Sequence, residues 1–112
     1  MQYSQFIAGG FRQGTSAERF TVIDPSTGQP LGDYAYATPE DVQAAIDAAA
    51  KALRSWSRTP AYERATLLRR VAALMRERGS AIAAQIAREL GKPIGEAQKE
   101  VVTAAEMFEW AA

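Results

Sequence analysis

The chain predicts an α+β fold, with β-hairpins over residues 1–37 and four helices over 38–112. Three observations carry that prediction. Up to Ala37, apolar and polar residues alternate in short runs broken by glycine and proline, which is the pattern of strands and turns. From Thr38 onward, apolar residues recur three and four positions apart, which is the helical period. Finally, Thr59-Pro60, Gly79-Ser80 and Gly91-Lys92-Pro93 punctuate the helical stretch and divide it into four pieces.

The first hairpin is read from Phe6-Ile7-Ala8 and Phe11-Arg12 around Gly9-Gly10, a pair that accepts the positive φ of a tight turn. Phe20-Thr21-Val22-Ile23 is the next strand, rich in β-branched and aromatic residues. Asp24-Pro25-Ser26-Thr27-Gly28 stops it, since proline presets φ, aspartate can bond back to the backbone and glycine lets the chain reverse. Leu31 to Ala37 returns alongside. Isolated two-stranded hairpins are marginal in water, so these ribbons are expected to lie on something else.

Thr38-Pro39-Glu40-Asp41 opens the first helix with a capping hydroxyl, a proline at the first helical position and carboxylates where the helix dipole favours them. Val42, Ala45, Ile46, Ala49, Leu53 and Trp56 predict one buried stripe, with Asp47 and Lys51 as an i,i+4 pair outside it. Thr59-Pro60 repeats the start signal. The second helix is expected to turn Leu67, Leu68, Val71, Leu74 and Met75 inward and Arg69, Arg70, Arg76, Glu77 and Arg78 to water. Gly79-Ser80 then stops that helix and caps the third, whose stripe is Ile82, Ala83, Ile86 and Leu90, closed by Gly91. Pro93 or Ile94 opens a fourth with Ala97, Val101, Ala104, Ala105 and Phe108 on one face. That helix meets Ala112 without glycine, proline or cap, so the chain reads as part of something longer.

At 112 residues the chain has room for one hydrophobic core. Much of its 47% hydrophobic content is alanine, so that core is expected to be thin. Thirteen basic and thirteen acidic residues cancel, leaving no electrostatic footprint for nucleic acid. Met1-Gln2-Tyr3-Ser4-Gln5 lacks a basic and apolar leader, and no apolar run approaches the ~20 residues that span a bilayer, so a cytoplasmic chain with no membrane partner is the expectation. With neither cysteine nor histidine, thiol nucleophiles, zinc-thiolate sites and imidazole bases are all excluded within these residues.

Two glycine-containing stretches imitate phosphate loops and fail as such. Gly9 to Gly14 lacks the lysine that should follow the second glycine and is flanked by strand residues. In Gly91-Lys92-Pro93, proline replaces the hydroxyl residue that would hold magnesium. No G-x-G-x-x-G occurs, so a complete dinucleotide site is not encoded here. Glu96 and Glu100 lie one turn apart, as an acid–base pair would. With Lys92 and Lys99 close by, they also read as a solvated mixed-charge face. Trp56 and Trp110 could stack on a planar ring, but Trp56 continues an apolar stripe and reads better as packing.

Taken in order, Phe6-Ile7-Ala8-Gly9-Gly10, Val22 to Gly28, Ala37 to Val42, Trp56, Thr59-Pro60, Glu63-Arg64, Leu67-Leu68-Arg69 and Glu89-Leu90-Gly91-Lys92-Pro93-Ile94-Gly95-Glu96-Ala97 resemble the aldehyde dehydrogenase superfamily over essentially the whole chain. The departures are small: Ala8 and Asp24 stand where asparagine is usual, and Leu90 where threonine is common. The resemblance implies an overall α/β enzyme with a Rossmann-type cofactor domain, of which this chain is the N-terminal part. It implies NAD or NADP as cofactor, bound mainly by residues outside this chain, and an aldehyde substrate oxidised through a cysteine thiohemiacetal and thioester. It implies a homodimer or homotetramer built from the complete enzyme. No catalytic or cofactor-binding residue is assignable within these 112 positions, and the chain alone is expected to be inactive.

Two site expectations follow from the resemblance. One is a monovalent-cation site, K+ or Na+, using the backbone carbonyl of Ile23 and the carboxylate of Glu89, an all-oxygen pairing suited to a hard ion; alternatively, Glu89 merely ends a helix. The other is a substrate-channel wall formed by Glu100, Thr103 and Met107, against an ordinary second helix face. Phe108-Glu109-Trp110-Ala111-Ala112 leans toward the succinate-semialdehyde branch. The rival readings are a freestanding, non-catalytic α+β module that binds a partner protein, and a segment of an acyl-phosphate reductase.

Overall fold

A computed structural model describes residues 4–112. The leader reading over Met1–Tyr3 therefore lies outside the described residues. The α+β expectation holds: strands β1 (Gln5–Ile7), β2 (Gly10–Arg12), β3 (Arg19–Ile23) and β4 (Pro30–Ala35) precede helices α1 (Pro39–Trp56), α2 (Ala61–Glu77), α3 (Gly79–Leu90) and α4 (Ile94–Ala111). The strands form two separate antiparallel hairpins. By its internal contacts the chain divides into two compact units, and the cluster of buried apolar residues Ala83, Ala97 and Val101 lies in the second. One comprises the described residues up to Ile23 together with Gly28–Arg58, and the other Asp24–Thr27 together with Thr59–Ala112.

In the first unit, Phe6 faces Phe11 across the β1–β2 ladder with ring centroids 5.1 Å apart, edge to face. The turn between them is Ala8-Gly9, with φ of 55° and 83°, and Gly10 is already in the strand. The expected Gly9-Gly10 turn is thus displaced by one residue. Two consecutive positive φ angles match the right-handed twist of the strands, which is what a two-residue hairpin demands. β3 and β4 pair from Arg19–Ala35 to Ile23–Pro30, with an irregularity at Val22/Ile23, and Phe20, Tyr34 and Tyr36 cluster on one face.

Helix α1 starts as its sequence dictates. Thr38 caps it, Pro39 follows, and Asp41 closes a reciprocal capping box. Its stripe is not buried within this chain, which corrects the expectation for that helix. Val42, Ile46, Leu53 and Trp56 are 44% to 60% exposed, and β1 is the element that lies most closely against the helix among the described residues. Outside the stripe, Asp47 accepts from Gln43 Nε2 at 2.9 Å, so the i,i+4 partner is Gln43 rather than Lys51.

In the second unit, α4 packs against both α2 and α3. Ala72, Ala83, Ala97, Val101 and Ala105 are buried, so the thin core foreseen from composition is what the fold builds. Each buried methyl is worth only roughly 0.8 kcal/mol, but small side chains let the helices approach closely. The stripes of α2 and α3 are only partly inward: Leu67, Val71 and Leu90 are exposed, while Leu68, Leu74, Met75, Ile82 and Ile86 are half-buried. On α4, Phe108 remains exposed at the edge of the buried face.

Gly79 begins α3 rather than ending α2, and Arg78 alone separates the two helices, with φ −97° and ψ 10°. Ser80 therefore caps nothing. Gly91 does close α3, in the left-handed conformation with φ 69°, its N–H donating to the Ala87 carbonyl at 2.8 Å. Pro60 and Pro93 each stand immediately before their helices.

Candidate functional site

The three residues for which the resemblance implies a channel wall lie side by side on α4. Glu100, Thr103 and Met107 share a shallow groove of about 420 Å³ along α4 with Glu96, Lys99 and Ala104. Spacings of three and four set these residues side by side on the helix, opposite the buried positions Ala97, Val101 and Ala105. Lys92, in the connection before α4, forms an ion pair with Glu100. With Glu100 held by Lys92, the Glu96–Glu100 pair reads as a mixed-charge face rather than an acid–base couple. The groove offers a thioether, a hydroxyl, two carboxylates and a lysine ammonium, with no thiol and no imidazole among them.

Ile23 ends β3 in the first unit, with its side chain exposed. Glu89 lies half-buried in the last turn of α3 in the second unit, where its carboxylate accepts from Gln85. Trp56 is 44% exposed and Trp110 91%, so the packing role expected of Trp56 is not fulfilled within the described residues.

The polar cluster around Asp41 was only half legible in the sequence. Asp41 is buried and accepts from the Thr15 N–H and hydroxyl, each at 2.8 Å, from the Thr38 N–H at 3.2 Å and from the Arg12 guanidinium at 3.4 Å. The Thr15 bonds foremost, then Thr38, hold its carboxyl down from an ordinary 3.8 to about 2, against the opposing effect of burial. So low a value suits a tie between the first hairpin's exit and the start of α1, and makes Asp41 a poor proton acceptor. The capping box announced Asp41, but nothing local announced Thr15.

Asp24 is likewise held below the usual carboxylate range, chiefly by the Ser26 hydroxyl and N–H, its bond to the latter being 2.9 Å. Beside this turn, a methyl group added at Gly91 would come within 2.7 Å of Pro25 Cγ. The close approach and the left-handed φ together explain why glycine occupies that position. Elsewhere in the second unit, Arg76 grips Glu109 with two hydrogen bonds, at 2.7 and 3.2 Å, joining α2 to α4.

The Gly9 to Gly14 stretch does not form a phosphate cradle. A phosphate cradle needs convergent N–H donors at a helix start, whereas a side chain at Gly14 would run into the carbonyl oxygens of Ala35 and Tyr36, and Ala8-Gly9 is a hairpin turn. Among the described residues no three acidic, cysteine or histidine side chains gather to hold a metal, and no helix is long and apolar enough to cross a membrane.

The chain is 37% identical to an NADP-dependent enzyme of E. coli, with a TM-score of 0.90 over 94% of this chain and 22% of that one. It is 30% identical to an NAD-dependent benzaldehyde dehydrogenase of Corynebacterium glutamicum, with a TM-score of 0.92 over 95% and 23%. It is 29% identical to an NADP-dependent glyceraldehyde-3-phosphate dehydrogenase of Bacillus halodurans, with a TM-score of 0.93 over 97% and 23%. The chain thus spans under a quarter of the length of these relatives. The aldehyde dehydrogenase family matches residues 11–112. Hairpins, helix order and residue pattern agree across nearly the whole length, and the chain belongs to the aldehyde dehydrogenase family.

Proposed function

We propose that this chain is the N-terminal part of the NAD(P)-binding domain of an enzyme that oxidises an aldehyde to a carboxylate, and that it serves there as scaffold. The observation that carries the proposal is a family match over residues 11–112 in a chain without cysteine or histidine that covers only 22% to 23% of its relatives. The thiol, the base and the dinucleotide cradle then belong to the rest of the enzyme. The exposed stripe of α1 supports the same reading, because an apolar face of that size normally has a partner.

Within the enzyme, Glu100, Thr103 and Met107 form part of the wall along which the aldehyde enters. The semialdehyde of a small dicarboxylic acid, such as succinate semialdehyde, is the substrate proposed. A monovalent cation, K+ or Na+, belongs to the proposal too, with Glu89 as its anionic ligand; replacing these ions by a bulky organic cation should lower activity. Assembly as a homodimer or homotetramer in the cytoplasm completes the reading, and light scattering on the complete enzyme tests the assembly.

The central experiment compares this polypeptide with the protein expressed together with its downstream coding sequence, each given a panel of aldehydes with NAD or NADP. Reduction of the dinucleotide by the longer protein, abolished by thiol alkylation, is expected. Turnover by the 112-residue chain alone, or a longer protein inert toward every aldehyde, would overturn the proposal.

A further inference from the structure

We draw no further inference here: the strongest candidate, the cleft at the start of α3 lined by Arg76, Gly79, Ser80 and Gln98, is a helix N-terminus whose cation is already paired with Glu109, and nothing else in the structure points to a ligand there.

Discussion

Replacing Gly91 by alanine should destabilise the fold by about 2–5 kcal/mol, because two separate penalties add. Its φ of 69° lies where an L side chain meets its own backbone, which costs about 1–2 kcal/mol. The new methyl would also sit 2.7 Å from Pro25 Cγ, well inside contact distance. A proline ring cannot swing aside, so the turn at Asp24–Thr27 or the last turn of α3 must shift. Overpacking of that kind costs about 1–3 kcal/mol. Gly28 supplies the control, for it has φ 72° but nothing within 4 Å of the added methyl. Gly28→Ala should therefore show the conformational penalty alone, about 1–2 kcal/mol. Urea titrations at constant m-value measure both losses. Removing the offending atom with Pro25→Ala should make Gly91→Ala cheaper, a coupling of about 1–3 kcal/mol in a double-mutant cycle. Equal losses at Gly91 and Gly28, or no coupling with Pro25, would refute the steric explanation.

Other expectations follow from the same geometry. Ala8 holds φ 55° in the first hairpin turn, so Ala8→Asn or Ala8→Gly should raise stability by about 0.5–1 kcal/mol in the same titration. Because the folded-state pKa of Asp41 is depressed, its contribution is full above 3.8 and lost as pH falls toward about 2; Asp41→Asn should flatten that part of the stability–pH curve and leave the rest in place. Arg76→Gln and Glu109→Gln should each lower the urea midpoint modestly, with a coupling that shrinks as salt rises, since both side chains are substantially exposed. In the complete enzyme, Thr103→Phe should raise KM for bulky aldehydes and leave small ones nearly unaffected, whereas unchanged kinetics across the panel would remove Thr103 from the entrance wall.

Local chemistry made most of the fold readable. Thr38-Pro39-Glu40-Asp41 carried its cap, its proline and its acidic first turn in four consecutive residues, and Gly91 announced the end of α3 in the same way. The errors arose where the deciding partner is distant or absent. A helical period marks which face of α1 is apolar, but not whether this chain contains anything to cover it. Arg78, a single residue in the bridge region, was enough to separate α2 from α3, so the Gly79-Ser80 signal was placed slightly late. Thr15 reaches Asp41 across 26 positions, a separation that leaves no trace in composition or spacing. The placement of Glu100, Thr103 and Met107 side by side on α4 was legible because helical geometry alone sets it.

Hydrogen exchange on α1 tests the scaffold role most directly. If the stripe Val42, Ile46, Leu53 and Trp56 is an interior face of a larger enzyme, the α1 amides that follow Pro39 should exchange far more slowly in the complete protein than in the 112-residue chain, with the stripe shielded from an apolar dye only in the former. Equal protection and equal dye binding in both would contradict it, leaving α1 an outward face of a self-sufficient module.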